Sequence, residues 1–171
     1  MLGITAHVAG AMLATIIGPL QFLPRIITKR WIGLHRWLGR VYLLGILVGG
    51  VAGLYMATLA QGGFPARLGF VILAVLWLTG GAIAYWRILH RDIQSHRQWM
   101  VRTYALTFAA VTLRLWLTLF QVLGIPLAEG YVAVAWLSWV PNLIVAEAIV
   151  NHIRPRARGA HWQSLPQEAR P

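Results

Sequence analysis

The stretch at residues 96–117, "HRQWMVRTYALTFAAVTLRLWL", opens on His96 and Arg97, runs on through largely apolar residues, and carries Arg114 deep among them. It is long enough to cross a hydrocarbon core of ~30 Å as a helix at ~1.5 Å per residue. A lone arginine in hydrocarbon costs about 2.5–3.5 kcal/mol on insertion scales, so a span that keeps one has a use for it. A similar opening, "HRWLGRVYLLGILVGG", stands at residues 35–50.

The rest of the chain agrees with the reading of that stretch as a membrane span. The chain has 171 residues, of which 58% are hydrophobic and 11% charged. Soluble domains run near ~25% charged. Apolar segments fall at about 5–24, 37–60, 67–89, 100–122 and 131–151. Each matches the ~20 residues a spanning helix needs and is twice the length of a barrel strand. The connections "QGGFPAR" and "GIPLAEG" are Gly- and Pro-rich turns. The first segment lacks a basic leader region and reads as a span rather than a secretory leader. The expected fold is all-α: a polytopic bundle of five transmembrane helices in one domain, residues 1–152, followed by a basic cytoplasmic tail at 153–171 that has little to bury.

Charge sets the expected orientation. Of the fifteen Lys and Arg residues, thirteen lie between the first and second segments, between the third and fourth, or in the tail. The positive-inside rule makes those loops cytoplasmic, with the N-terminus outside and the C-terminus inside, in the inner (plasma) membrane. The formal net charge of +11 is then a topology signal and an affinity for anionic lipid, and no nucleic-acid partner is expected. Trp31, Trp37, Trp86 and Trp99 fall at the inner interface, where amphipathic rings belong.

The two openings read as a repeat. His35 is followed by Arg36, Trp37, Arg40 and Tyr42, and His96 by Arg97, Trp99, Arg102 and Tyr104, with one extra residue in the second copy. Helical hairpins repeated in parallel would carry the two histidines to one depth on adjacent, like-directed spans. Facing imidazoles with an apolar slot between them, and arginines at the rim for propionates, are what a bis-histidine haem b requires. His35, His96, Arg36, Arg40, Arg97 and Arg102 are the candidate cofactor-binding residues. The same residues also read as interfacial anchors that snorkel to headgroups, and sequence leaves both readings open. His90 sits in the polar loop "RILHRDIQSHR" and His152 beside the basic tail, where solvated roles suffice; His161 in the tail has no assigned role. The absence of cysteine excludes thiolate metal sites, iron–sulfur clusters and disulfides.

Four polar groups fall inside the spans: His7, Arg114, Asn142 and Glu147. Counted along the helices, Arg114 lies ~12 Å below the outer end of its span and Glu147 ~6 Å above the inner end. Across a ~30 Å core that excludes an Arg114–Glu147 pair. Glu147 is placed for Arg40, Arg102 or the base histidines, and Arg114 for His7, Gln121, freed carbonyls or a water-filled funnel. Pro141 frees a carbonyl that Asn142 could bond, unless Asn142 reaches another helix, and a kinked, cavity-lining segment is one outcome. Gly18, Pro19 and Gln21 mark a similar irregularity in the first span.

Together, "GPLQFLP", "HRWLGRVY", "HRQWMVRTYALTFAAVTLR" and "AWLSWVPNLIVAE" resemble the predicted bacterial membrane proteins of domain of unknown function 2306, over roughly residues 5–150. That resemblance implies that His7, Gln21, His35, Arg36, Arg40, His96, Arg97, Trp99, Arg102, Arg114, Asn142 and Glu147 belong to a shared pattern, and it implies no activity. The segment "HRWLGR" is also similar to openings in transmembrane b-type cytochromes. The expected function is haem-linked electron transfer. The alternative is a non-catalytic auxiliary subunit or assembly factor of a larger membrane complex, with other subunits as partners. A small transporter fits less well, because the spans hold few acids, and a hydrolase lacks its constellation.

Overall fold

The computed structural model describes residues 2–153, and the tail beyond, with His161, lies outside them. The described residues are helical and hold no strand. The helices are α1 (Leu2–Ile17), α2 (Ile32–Thr58), α3 (Gly63–Leu89), α4 (Ile93–Thr107), α5 (Ala109–Val122), α6 (Leu127–Leu137) and α7 (Val140–Ile153), with a 3-10 turn at Gly18–Phe22 after α1. They make five spans long and apolar enough to cross a membrane: Leu2–Phe22, Ile32–Thr58, Gly63–Leu89, Ile93–Val122 and Leu127–Ile153. The second and fourth spans start several residues earlier than hydropathy places them. Their first turns are amphipathic, and a helix tolerates His, Arg and Trp at the headgroup level. Leu47, Val51 and Ile144 are more than half exposed. In water such a surface would leave most of its apolar burial unmade; against lipid chains it carries no penalty. The chain contacts the bilayer through these faces.

Small residues decide how the spans meet. Gly10 of α1 lies against α2 so closely that a Cβ on it would sit 2.4 Å from the Gly49 nitrogen, and one on Gly45 would sit 2.9 Å from the Gly10 carbonyl oxygen. Gly45, Gly49 and Gly53 recur every fourth residue, the small-xxx-small spacing that lets membrane helices approach backbone to backbone. The first four spans pack in sequence, α1 on α2, α2 on α3 and α3 on α4, and α4 returns to α1 and the 3-10 turn; the fifth lies against α3, α4 and α5. The histidine-bearing helices α2 and α4 thus stand across the bundle from one another rather than side by side.

Two spans are broken. The fourth bends at Phe108, between α4 and α5, and the fifth at Ser138–Trp139, between α6 and α7. Pro141 has no N–H to return to the Leu137 carbonyl, which accounts for the second break. In the fourth span Thr103 and Thr107 donate to the carbonyls four residues back, Trp99 (2.7 Å) and Thr103 (2.9 Å), and such back-bonding bends helices. Asn142 ties the two breaks together. Its side-chain amide faces the Ser138 carbonyl (3.0 Å), the Thr112 hydroxyl (3.1 Å) and the Ala105 carbonyl (3.3 Å). Thr112 in turn donates to the Ser138 carbonyl. Of the alternatives open for Asn142, its own backbone and another helix, it uses both.

Candidate functional site

The histidine repeat is visible in backbone geometry. α2 begins three residues before His35 and α4 three residues before His96. Each histidine N–H makes the first return bond of its helix, His35 to Trp31 O (3.1 Å) and His96 to Asp92 O (3.0 Å). At α4 the Asp92 carboxylate caps the helix by accepting from the Ser95 N–H (3.0 Å). That bond, supported by Arg87, holds the Asp92 carboxyl below its usual range. Counted from the histidines, the structural equivalent of Tyr42 is Thr103, not Tyr104, and both are fully buried. The extra residue in the second copy turns everything after it by ~100° about the helix axis. Arg40 consequently lies exposed, whereas Arg102 points inward, its side chain only 14% exposed.

Arg102 is the partner of Glu147. The guanidinium donates to both carboxylate oxygens, Nε to Oε1 at 2.5 Å and Nη2 to Oε2 at 2.8 Å, a bidentate fork. It also lies over the Trp99 ring, 5.0 Å from the centroid. Arg36 and Arg97 remain exposed at the rim with Arg40.

The two imidazoles, of His35 and His96, are both half-buried. Each has its Nδ1 against an amide group. His96 Nδ1 donates to the Ala84 carbonyl oxygen on α3 (2.8 Å), which leaves the Nε2 lone pair outward. His35 Nδ1 meets the side chain of Gln21, a residue only 5% exposed in the 3-10 turn. The fixed polarity of the Gly39 N–H (3.3 Å) and the His35 carbonyl (3.3 Å) turns the Gln21 amide so that its nitrogen faces His35, donating to Nδ1 at 3.2 Å. Gly39 leaves space for this contact: a Cβ there would come within 3.2 Å of the Gln21 side-chain amide. The neutral His35 therefore carries its proton on Nε2. Among the described residues, no cluster of three or more His, Cys, Asp or Glu could hold a bare metal ion. For haem b the donor set fits at His96 as it stands, since Nδ1–H to carbonyl is the usual brace of a ligating imidazole. At His35 it does not fit as it stands, because a Gln21 oxygen turned toward Nδ1–H would also face the His35 carbonyl and would set the amide nitrogen against the Gly39 N–H.

A second feature lies in the opposite half of the bundle. A cavity of about 560 Å³ is walled by α1, α2, α3, α4, α5 and α6 and includes His7, Trp77, Thr107, Ala110 and Tyr131. His7 Nδ1 donates to the Gly49 carbonyl (2.8 Å), and its ring lies where a Cβ on Gly53 would come within 2.8 Å. At the floor, Thr107 Oγ1 joins three helices: it accepts from Trp77 Nε1 (2.9 Å), pairs with Tyr42 OH (3.0 Å) and donates to the Thr103 carbonyl (2.9 Å). With its single hydrogen spent on Thr103, Thr107 makes Tyr42 the donor. Pro141 and Asn142 are not in the cavity wall; their role is to fix the breaks. Arg114 bonds neither His7 nor Gln121 but the Ala110 carbonyl of its own helix, at 2.5 Å.

Sequence reasoning missed Thr103, Thr107, Thr112, Ser138 and Trp77. The available signal was Thr at positions 103 and 107, four residues apart inside an apolar run, the spacing at which two hydroxyls share one helix face.

Fold and site together define a polytopic α-helical membrane protein with a histidine-bearing base and an intramembrane cavity. The family model described as "Predicted membrane protein (DUF2306)" matches residues 4–150, and the chain belongs to that family. No match was found among curated proteins or among solved structures.

Proposed function

We propose that this is a b-type haem protein of the inner membrane, working in electron transfer, with one haem between His35 and His96 at the cytoplasmic side. The observation that carries the reading is the pair itself: imidazoles at equivalent helix positions on like-directed spans, each with Nδ1 engaged. At His96 that bracing leaves Nε2 as the ligating atom, whereas His35 ligates through Nε2 only after its proton moves to Nδ1. The haem would supply reversible one-electron transfer. The chain's own residues prepare its place. Ala84 fixes the His96 tautomer that frees Nε2, whereas Gln21 holds His35 with its proton on Nε2, so haem binding must displace that contact. Arg36, Arg40 and Arg97, exposed at the rim, are free to meet propionates; Arg102 is committed to Glu147.

The test is an absorption spectrum of the full chain purified from membranes of haem-replete cells. A Soret band that is lost in His35→Ala and in His96→Ala, with helicity unchanged, is the expected outcome. A folded, colourless wild-type protein refutes the proposal.

A further inference from the structure

The cavity in the half of the bundle away from the histidine base is not used by the haem reading. Its wall is apolar over most of its extent, and the polar groups it holds include the His7 imidazole and the Tyr131 phenol. None of the described residues that form the wall is acidic. At ~560 Å³ it lies in the range of cavities that take a small organic ligand.

Arg114 is an exposed residue of α5, not itself in the wall, one helical turn on from the wall residue Ala110. The guanidinium donates to the carbonyl of Ala110, and Ala110 belongs to the wall. That carbonyl lies four residues back along the helix, toward mid-span. The side chain therefore reaches into the depth of the span instead of extending to the nearer end, as an arginine anchoring itself to headgroups would. Among the described residues Arg114 makes no ion pair: the pairs are Arg87–Asp92 and Arg102–Glu147. Glu129 stands in the first turn of α6 and is not in the wall. A cation held in hydrocarbon needs a counter-charge or water, and the described residues place no carboxylate within ion-pair distance of it.

We infer that the cavity binds a single-chain amphiphile with an anionic head, its acyl chain along the apolar wall and its head at Arg114. The Tyr131 hydroxyl is a further donor in the wall. The complement of donors, one fixed cation and no wall carboxylate favours an acceptor-rich anion over a neutral head. A carboxylate of a free fatty acid and the phosphate of a lysophospholipid share that chemistry.

The experiment is native mass spectrometry of the full chain released from mild detergent, titrated separately with oleic acid, oleyl alcohol and oleoyl lysophosphatidic acid. Wild type should form a saturable one-to-one adduct with oleic acid and bind the alcohol about tenfold more weakly, the value of one charge-assisted contact. Arg114→Gln should bring acid and alcohol to equal, weak binding, and Ala110→Phe, which fills the wall beside Arg114, should weaken both. The lysophosphatidic acid arm separates the sources: tighter binding than oleic acid assigns the site to a phospholipid, weaker binding to a free carboxylate. Equal binding of acid and alcohol by wild type, or a preference that survives Arg114→Gln, overturns the inference. Helicity and elution volume of both variants establish that each is folded. None of these readouts depends on haem.

Discussion

Thr107→Val tests how the bundle satisfies polar groups out of reach of bulk water. The substitution keeps volume and shape and deletes one hydroxyl. Thr107 is 3% exposed, Tyr42 fully buried and Trp77 6% exposed. Without the hydroxyl, Trp77 Nε1–H and Tyr42 O–H both lose their acceptor. Hydrogen bonds between membrane helices couple by about 0.6–1.7 kcal/mol each, so the loss of two should destabilise by roughly 1–3 kcal/mol. Tyr42→Phe removes a donor instead and leaves only an acceptor lone pair unfilled, which should cost about 0.5–1 kcal/mol. In the double variant only Trp77 is orphaned. Its destabilisation should fall short of the sum of the singles by about the value of one bond, ~0.6–1.7 kcal/mol. The assay is reversible unfolding in mixed micelles, followed by far-UV circular dichroism. Equal costs for the two single variants, or strict additivity in the double, would refute the reasoning and mean that water in the adjoining cavity already serves these donors.

Further outcomes follow from other contacts. Gly49→Ala places a methyl 2.9 Å from the Ala11 backbone nitrogen, so α1 and α2 must part; overpacking of this kind should lower stability by about 1–3 kcal/mol in the same unfolding assay. Glu147→Gln leaves the Arg102 charge without its fork partner and should destabilise by about 1.5–3 kcal/mol, whereas Arg40→Gln, at an exposed position, should change little. The Asp92 carboxyl is held low by the Ser95 N–H first and then by Arg87. Its contribution to stability is therefore complete above the unfolded-state carboxyl value and is lost as pH falls through the lower folded-state value. Asp92→Asn keeps the cap acceptor and should flatten the acid limb of a melting-temperature against pH series.

Several features of the site were legible because they depend on counting along a helix. Depth arithmetic separated Arg114 from Glu147 and left Arg102 among the candidates for the acid, and Arg102 is the residue the fork engages. The Gly18–Pro19 irregularity became the 3-10 turn that carries Gln21 to His35. The partner of Arg114, a carbonyl one turn back on its own helix, was not legible, because sequence does not say which way a long side chain bends. The Thr107 junction was not legible at all. It joins residues from α2, α3 and α4 that sit 30 and 65 positions apart in the chain, and a threonine in an apolar run looks the same whether it bonds its own backbone or a tyrosine across the bundle.

Sequence by itself determined that the chain is a five-span helical membrane protein, because hydrocarbon demands runs of apolar residues long enough to cross it with every backbone bond made within the run. It also determined that a histidine opens the second and fourth spans, since periodicity and spacing are written along the chain. Tertiary structure decided what those groups meet. One inserted residue turns Arg102 toward Glu147 while Arg40 faces outward, glycines at positions 10, 45 and 49 set how closely α1 and α2 approach, and the breaks at Phe108 and Ser138 are stitched to each other by Asn142. Rotation about a helix axis and the gap between two helices are fixed by contacts between distant segments, and no local run of residues records them.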